Sequence, residues 1–333
     1  MGDAPVDSRK HTREEIQQAF EYANSVAGSY FHVFKRCGVS AEGLNFLELG
    51  PGQEFGAQLV LASMGAKVTL ADPFLSEWDP DFHPELYRML SENWPNANAE
   101  LKKALAGQSH AATSLVLLRE PAEALKSISD GCMDFVYSNA VLEHVVDMGR
   151  VAHELARVSK VGACSAHQID WRDHHDFSRP LEHLALSDDD FLQVADADGW
   201  RFEYGNRLRS IEYRAFFESA GFEVIEVEIN SRADSDYIAN VLPRLRACRA
   251  SSYANWPVDD LARIGGRFYV RKAQAGLAQR VKSSAEDIFL LVNAVKSPAR
   301  QENPNGDVAR DRAGADPLPS CRKSLFARVF NMK

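Results

Sequence analysis

The stretch that decides the fold is Asn45-Phe-Leu-Glu48-Leu-Gly50-Pro-Gly52-Gln-Glu-Phe-Gly56. Its first five residues are mostly apolar and predict a short buried strand, and the glycines that follow predict a tight turn into a helix starting near Gln53. Glycine lets the backbone of such a turn approach a ligand closely. The segment therefore predicts a strand, a ligand-binding turn and a helix, with the turn at the carboxyl end of the strand.

Short apolar runs continue to alternate with helical stretches along the chain. Runs of strand length occupy residues 46–49, 68–71, 114–118, 133–137, 161–166 and 222–229. A last strand is predicted over 267–271 rather than 288–295, because Ser283 and Glu286 precede the second run with the spacing that starts a helix. This order predicts an α/β fold, in which helices cover both faces of a mostly parallel sheet.

Three helices carry clear signals at their ends. Thr12 and Glu15 have capping-box spacing at the start of a helix predicted over 13–36. Asp147 is placed to cap a second helix, whose apolar residues form a single stripe. A third helix, over 211–220, is stopped by Gly221.

Changes in composition divide the chain into a main domain and its additions. Two long polar stretches interrupt the main domain and are predicted to form lids or binding loops, because ordinary connections are shorter. The C-terminal tail is predicted to be disordered, because it has few apolar side chains before a short amphipathic end. The predicted divisions are an N-terminal helical cover over 1–40, a main domain over 41–272 with insertions at about 73–110 and 170–209, a helical extension over 273–297 and the tail over 298–333.

Charge and apolar content limit the partners. Subtracting 47 acidic from 38 basic residues gives a net charge of −9, which disfavours nucleic acid as a partner. No apolar run approaches the ~18 residues of a transmembrane segment and the N-terminus lacks a secretory signal, so a cytoplasmic location is expected. The five cysteines are far apart and form no C-x-x-C pair, which predicts reduced thiols. The sequence leaves open whether the chain forms a homo-oligomer.

Asp72 indicates what kind of ligand the glycine turn holds. It follows Gly52 by twenty residues and ends the second predicted strand. A carboxylate at that place accepts hydrogen bonds from two ribose hydroxyls. A ligand that contains a nucleoside is therefore predicted.

Two features of the turn distinguish between nucleoside-containing cofactors. Phe55 stands where a dinucleotide fingerprint that begins at Gly50 needs its third glycine. The acidic side chains of Glu48 and Glu54 are unfavourable near a pyrophosphate but suit the ammonium and sulfonium groups of S-adenosylmethionine. The turn therefore favours S-adenosylmethionine over a nicotinamide dinucleotide.

Three segments, in this order, carry a family resemblance: Leu47-Glu-Leu-Gly-Pro-Gly52, Val68-Thr-Leu-Ala-Asp72 and Met133-Asp-Phe-Val-Tyr-Ser-Asn-Ala-Val-Leu-Glu-His-Val145. They resemble the first, second and fourth-strand motifs of class I S-adenosylmethionine-dependent methyltransferases, in the small-molecule, type 11-like branch. The resemblance spans about residues 45–165. It implies a Rossmann-like, doubly wound, mostly parallel seven-stranded sheet, S-adenosylmethionine as cofactor, and methyl transfer to a small-molecule acceptor.

The resemblance also implies which residues contact the cofactor. The glycine turn would hold the methionine and ribose portions, Asp72 the ribose hydroxyls, and the Asn139-to-His144 segment would line the methionine side. The chain departs from the family near adenine, because Pro121 precedes Ala122 where an acidic residue is common. The implied cofactor-binding residues are Glu48, Gly50, Pro51, Gly52, Asp72, Pro73, Ala122, Glu123, Asn139, Ala140 and His144.

The acceptor side is assigned to the stretch after the fifth strand, His167-Gln-Ile-Asp170-Trp-Arg-Asp173-His174-His175-Asp176. This stretch resembles a subgroup of bacterial methyltransferases often linked to cell-surface saccharide or secondary-metabolite pathways. His167 is expected to leave the sheet beside the methyl donor, where a neutral imidazole takes a hydroxyl proton, with Asp170 orienting it. The predicted catalytic residues are His167, Asp170 and His174, and the predicted substrate-binding residues are Asp173, Asn206 and Arg207.

Several alternatives remain open in the sequence. A divalent ion such as Mg²⁺ is considered but not favoured, because turn and salt-bridge roles account for the same side chains. Its candidate ligands are Asp170, Asp173, His174 and Asp176. O-methylation of a sugar-like or secondary-metabolite hydroxyl is the preferred function, and C- or N-methylation of a small metabolite comes next. A non-catalytic S-adenosylmethionine-binding protein and a nicotinamide oxidoreductase are the remaining alternatives.

Overall fold

The computed structural model describes residues 11–197 and 205–296. The first ten residues of the predicted N-terminal cover lie outside the described residues, as does the predicted tail over 298–333 with its amphipathic end. The described strands are β1 (Asn45–Leu49), β2 (Lys67–Ala71), β3 (Val116–Leu118), β4 (Met133–Asn139), β5 (Ser159–Asp170), β6 (Phe222–Arg232) and β7 (Arg263–Lys272). The described α-helices are α1 (Arg13–Cys37), α2 (Gly56–Ser63), α3 (His83–Asn93), α4 (Ala99–Gly107), α5 (Met148–Val158), α6 (Asp188–Ala197), α7 (Ser210–Ser219), α8 (Ser235–Ala247), α9 (Val258–Leu261) and α10 (Ala275–Lys296).

The strands form one seven-stranded sheet in the order β3-β2-β1-β4-β5-β7-β6. The first five strands in that order are parallel, and β7 is antiparallel to both of its neighbours. The predicted doubly wound, mostly parallel α/β sheet is therefore confirmed. The chain moves outward from β1 to β3 and then returns to β4, so the strand order reverses between β1 and β4. In open α/β sheets, ligands bind outside the carboxyl ends of the strands at such a switch point.

Helix α1 forms where its end signals predict it. The Thr12 hydroxyl accepts a hydrogen bond from the N–H of Glu15 (3.1 Å), and the Glu15 carboxylate accepts one from the N–H of Thr12 (2.7 Å). The buried face of α1 lies on the sheet, where Tyr30 contacts Phe46 edge to face with ring centroids 5.4 Å apart. The N-terminal helix thus covers the side of the sheet next to the glycine turn.

Side chains of the central strands alternate between two apolar cores. On β1, Phe46 lies in the core under α1 to α4, and Leu47 lies in the core under α5 and α7. On β5, Ala166 belongs to the first core and Ile169 to the second. Because successive side chains of a strand point to opposite faces, His167 belongs with the second core.

Some element bounds differ from the predicted ones. β5 runs on to Asp170 because it pairs with β4 as far as Gln168 and with β7 over its last residues. The last strand is β7, as preferred, and residues 288–295 lie in a helix that begins at Ala275 instead of near Ser283. The insertion after β2 contains α3 and α4, and the insertion after β5 contains α6.

Two further predictions concern thiols and membranes. Cys37, Cys132, Cys164 and Cys248 are free thiols, as predicted, and Cys321 lies outside the described residues. None of the helices in the described ranges is long and apolar enough to cross a membrane.

Candidate functional site

The glycine turn after β1 lies against the loop after β4. A Cβ built on Gly50 would be 2.5 Å from Cγ2 of Val141, and Gly50 has a φ of +59°, so a larger residue is disfavoured on both counts. The N–H of Gly50 donates to the carbonyl oxygen of Ala71 at the end of β2 (3.0 Å). The carboxyl ends of β1, β2 and β4 therefore meet at the switch point.

Glu48 of β1 is buried beneath this turn. Its Oε2 accepts hydrogen bonds from the Tyr30 hydroxyl of α1 (2.6 Å) and from Nε2 of Gln58 on α2 (3.0 Å). Burial raises the pKa of Glu48 to about 8, and the two hydrogen bonds oppose that rise. The raised pKa favours the protonated form of the Glu48 carboxyl group, and a cation bound nearby would favour its ionised form.

A second acidic side chain, Glu54, is buried in the turn itself. Burial raises the pKa of Glu54 to about 7, and hydrogen bonds from the backbone N–H groups of Glu54 and Gln53 oppose that rise. Among the described residues, neither Glu48 nor Glu54 forms an ion pair with a lysine or arginine. The turn thus holds two buried carboxyl groups that have no basic partner there.

The insertion after β2 supports the turn from outside. Nε2 of His83 lies 3.3 Å from the carbonyl oxygen of Gln53, and the Tyr87 hydroxyl donates to the carbonyl oxygen of Glu54. The Tyr87 hydroxyl also lies 2.9 Å from Nε2 of His110. The buried polar groups of this insertion fix the backbone of the glycine turn, and its expected role as a lid or binding loop stays a prediction.

Asp72 ends β2 on the other side of the turn. Its Oδ1 accepts a hydrogen bond from the N–H of Phe74 (2.6 Å), and its N–H donates to the carbonyl oxygen of Leu118 at the end of β3 (3.0 Å). Burial raises the pKa of the Asp72 carboxyl group, and the bond from Phe74 opposes the rise. Hydrogen bonds within the described residues use only Oδ1, which leaves Oδ2 for a ribose hydroxyl. Pro73 follows at the surface.

The loop after β3 is tied to the loop after β4. Oε1 of Glu123 accepts a hydrogen bond from the N–H of Val146 (3.2 Å), and Ala122 packs against the core under α5. The contact with adenine that was expected of Ala122 and Glu123 stays a prediction.

Asn139 ends β4, and Ala140 begins the loop that follows. Nδ2 of Asn139 donates to the Tyr22 hydroxyl (3.1 Å), so α1 reaches the end of β4. Ala140 has a φ of +55°, a left-handed conformation that is strained for a residue with a Cβ. Its N–H donates to the carbonyl oxygen of Gln168 (3.0 Å) and joins this loop to β5. Strain held in place by such contacts is common at functional sites.

Four polar side chains meet beyond the ends of β4 and β5, and we call Glu143, His144, Asp170 and His174 the edge cluster. Oε1 of Glu143 accepts a hydrogen bond from the N–H of Asp170 (3.1 Å). The rings of His144 and His174 lie edge to face with centroids 4.8 Å apart. Nε2 of His174 is 3.8 Å from Oδ2 of Asp170. The fold therefore assembles this cluster from the turn after β4, the last residue of β5 and the loop that follows it.

Burial separates polar atoms of the edge cluster from water. Oε2 of Glu143 and Nε2 of His174 are shielded from water and form no hydrogen bond with the described residues. Burial raises the pKa of Glu143 well above its ordinary value, with the nearby Asp170 charge adding to the rise, and burial lowers the pKa of His174. Asp170 forms an ion pair with Arg172 (2.5 Å). The cluster thus contains a partly buried imidazole that favours its neutral form.

His167 does not lie at this edge, and its predicted placement is wrong. Because β5 continues beyond it to Asp170, its side chain points into the core under α5 and α7 and is fully buried. Nδ1 lies 2.9 Å from Oγ of Ser138, and the ring stacks on Phe217 with centroids 5.3 Å apart. Burial lowers the pKa of His167 to about 3. A side chain enclosed in this way does not reach an acceptor beside the methyl donor.

Asp173, expected to bind substrate and considered as a Mg²⁺ ligand, shapes the loop after β5. Its carboxylate accepts hydrogen bonds from the N–H groups of His175 (2.9 Å) and His183 (3.0 Å), and burial raises the pKa of Asp173 to about 6. Asp176 accepts one from the N–H of Ser178 (3.0 Å). Of the four side chains considered for Mg²⁺, these two are used in turns, and only the other two reach the edge cluster.

Asn206 and Arg207, also expected to bind substrate, have internal partners as well. Nδ2 of Asn206 donates to the carbonyl oxygen of Leu142 (2.8 Å) and so supports the turn that carries the edge cluster. Arg207 is buried, and its guanidinium lies over the ring of Tyr253, with Nη2 3.2 Å from Oγ of Ser251. Through these contacts the two side chains hold loops together, and their expected contact with an acceptor stays a prediction.

Sequence reasoning gave no role to Glu143, although the residue lies within the quoted fourth-strand motif. Its position beyond the end of a parallel strand, next to His144, is the feature of the sequence that could have indicated a functional role. It also assigned no part to Tyr30 and Gln58, the partners of Glu48, because their contact depends on how α1 and α2 dock on β1.

The residues around the glycine turn fit S-adenosylmethionine. The sulfonium and ammonium groups of that molecule are positive, and Glu48 and Glu54 are carboxyl groups without a basic partner among the described residues. Asp72 offers Oδ2 to a ribose hydroxyl. A pyrophosphate would instead place negative charge beside the same carboxyl groups. The cofactor contacts predicted for individual residues of this turn stay predictions.

Residues 88–165 match the model of a protein family described as "Methyltransferase domain". The match covers β3, β4, α5 and the first part of β5, and it includes Glu143 and His144 of the edge cluster. A comparison with curated proteins finds no significant match in sequence.

Several solved methyltransferase structures are similar to this chain at low identity. Phosphoethanolamine N-methyltransferase 2 of Haemonchus contortus, in complex with S-adenosylmethionine, is 14% identical with a TM-score of 0.44, covering 80% of this chain and 59% of that chain. An S-adenosylmethionine-dependent methyltransferase from Mesorhizobium loti is 14% identical with a TM-score of 0.41, covering 72% and 95%. One from Methanosarcina mazei is 17% identical with a TM-score of 0.41, covering 70% and 93%. Because these TM-scores are below 0.5, the three structures carry no weight for function.

Proposed function

We propose that this chain, a class I S-adenosylmethionine-dependent methyltransferase, transfers the methyl group to an oxygen of a small polar acceptor, such as a sugar-like or secondary-metabolite hydroxyl. The observation that carries the proposal is the edge cluster. It lies beyond the carboxyl ends of β4 and β5, just after the loop in which Val141 contacts the glycine turn. Ligands of open α/β sheets bind at these strand ends, so an acceptor beside the cofactor would meet the cluster.

An oxygen acceptor needs a group that takes its proton, and His174 supplies one. Its Nε2 is buried and forms no hydrogen bond with the described residues, so an entering hydroxyl meets a nitrogen able to accept. Oδ2 of Asp170, 3.8 Å away, would stabilise the imidazolium that forms. A neutral amine requires no such base, and the cluster therefore favours oxygen over nitrogen.

The cofactor, when bound, supplies a methyl group whose bond to sulfur breaks as the acceptor oxygen bonds to its carbon. The chain would position the two reactants and exclude water, and these two effects would supply most of the rate enhancement. Glu48 and Glu54 would balance the positive charges, and Asp72 would hold the ribose. The contact between Tyr22 and Asn139 keeps α1 across this end of the sheet.

The polarity of the edge cluster supports a hydroxylated acceptor. Two carboxyl groups and two imidazoles offer several hydrogen-bond acceptors within one small region. A sugar or a polyhydroxylated metabolite presents several hydroxyl donors and would satisfy them. The sugar-like class is therefore preferred over an apolar acceptor.

A direct test gives the full-length protein S-adenosylmethionine with an isotopically labelled methyl group and a panel of glycosides, hydroxy acids, phenols and amines. Mass spectrometry is expected to find the label on an oxygen. His174→Ala is expected to lower turnover by roughly 10²–10⁴-fold with cofactor affinity nearly unchanged, because general-base catalysis is expressed in the transition state. Asp170→Asn is expected to cause a smaller loss.

The matched control is His153→Ala, which removes an exposed histidine of α5. This variant is expected to keep wild-type turnover. Label found only on nitrogen or carbon would contradict transfer to oxygen. Full turnover in His174→Ala would show that His174 is not the general base. Cofactor binding without transfer to any compound would favour the non-catalytic alternative.

A further inference from the structure

Glu143, His144 and His174 form a cluster of three metal-type donors, of which the proposed reaction uses one. One oxygen or nitrogen ligand atom from each residue lies within 4.8 Å of those of the other two. The first two residues belong to the 3₁₀ turn Leu142–His144 after β4, and the third belongs to the loop after β5. The donor set therefore exists only in the folded chain.

Two of these residues each have a buried ligand atom that lacks a partner for its electron pair among the described residues. Oε2 of Glu143 and Nε2 of His174 are buried and form no hydrogen bond with the described residues. A buried polar atom without a partner is costly, and it commonly indicates an unseen ion, water or ligand. The other oxygen of Glu143, Oε1, is held by the N–H of Asp170, which fixes the orientation of the carboxylate.

The types of donor indicate which cation would fit. Two imidazoles and one carboxylate are a set that binds Zn²⁺ in proteins, whereas Mg²⁺ prefers an all-oxygen environment. Oδ2 of Asp170 lies 3.8 Å from Nε2 of His174 and adds negative charge beside the set. The cluster therefore favours Zn²⁺ over the Mg²⁺ considered from the sequence, and two of its three donors differ from that earlier set.

We propose that Glu143, His144 and His174 bind Zn²⁺ and that the bound ion inhibits methyl transfer. Inhibition rests on the proposed function, because an ion on Nε2 of His174 occupies the electron pair that would take the acceptor's proton. Zn²⁺ binding itself does not depend on that function. The edge cluster would then be the point at which a divalent cation controls the enzyme.

The binding test uses the full-length protein, freed of metal by a chelator and titrated with Zn²⁺ in a calorimeter. The expected result is one Zn²⁺ per chain at this site, with Kd at least tenfold higher in Glu143→Gln and in His174→Ala. The glutamine keeps the shape of the glutamate, and circular dichroism melting checks that each variant is folded. His153→Ala, a surface histidine away from the cluster, is the matched control and is expected to bind Zn²⁺ as the wild type does.

The activity test uses the acceptor found in the labelled panel. Saturating Zn²⁺ is expected to lower turnover at least tenfold, and EDTA is expected to restore it. Glu143→Gln is expected to resist this inhibition when compared with its own metal-free rate. Resistance would link the inhibition to the cluster instead of to some other histidine.

Each outcome decides a different part of the inference. Absence of Zn²⁺ binding, or equal affinity in Glu143→Gln, His174→Ala and the wild type, would overturn the site. Zn²⁺ that binds at the cluster and accelerates transfer would overturn both the inhibition and the base role of His174. Should no acceptor be labelled at all, the proposed function fails while the calorimetry still decides the site.

Discussion

At the scale of single residues, two histidines of the same stretch have opposite surroundings. His167 lies in an apolar core between Ser138 and Phe217, and His174 lies in a polar cluster beside Asp170. The sequence ranked His167 first because the apolar run ends near it. Where β5 ends depends on pairing with β7, a distant segment, and local pattern does not carry that information.

The structural role of His167 leads to a stability prediction. His167→Ala is expected to lower the free energy of unfolding by about 1–3 kcal/mol, because it opens a cavity and removes the partner of Ser138. Turnover of the folded variant is expected to stay near the wild-type value. Urea denaturation and steady-state kinetics on the same preparation measure the two effects. If His167→Ala loses as much turnover as His174→Ala while its stability is unchanged, His167 has a role in catalysis instead.

At the scale of elements, segments outside the glycine-turn motif also support the turn. The strand, turn and helix over residues 45–63 follow from local pattern, and the structure has them as β1 and α2. The partners of Glu48 come from α1 and α2, and the insertion after β2 holds the backbone of the turn. These contacts depend on docking between helices far apart in sequence, which explains why the motif alone did not indicate them.

The buried acids of this turn predict that cofactor binding releases protons at pH 7. Burial raises the pKa of Glu48 to about 8 and that of Glu54 to about 7, so both are partly protonated before binding. A bound cation favours the ionised forms and lowers both pKa values, so protons leave on binding and affinity rises as pH increases from about 6 to about 8.

Calorimetry at pH 7 in two buffers of different ionisation enthalpy counts the released protons. Glu48→Gln, which cannot ionise at that position, is expected to release fewer protons than the wild type. Proton uptake on binding, or no exchange of protons at all, would show that these carboxyl groups do not sense the cofactor's charge.

At the scale of the whole molecule, the sheet was predictable from the sequence and the edge cluster was only partly so. Periodicity and end signals gave the order of strands and helices, because these depend on neighbouring residues. The edge cluster is formed by segments that meet through long-range contacts, such as Asn206 holding the turn at Leu142. Of the predicted catalytic residues, Asp170 and His174 are brought together, and Glu143 joins them without having been predicted.

We expect the carboxyl ends of β1, β2 and β4 to hold S-adenosylmethionine. Calorimetric titration of the full-length protein with this molecule, and separately with NAD, measures whether they do. We expect saturable binding of S-adenosylmethionine and no comparable affinity for NAD. Asp72→Ala is expected to lower the affinity for S-adenosylmethionine by roughly 1–3 kcal/mol, because it removes charge-assisted hydrogen bonds to the ribose. Binding of NAD with no response to S-adenosylmethionine would contradict this assignment of the cofactor.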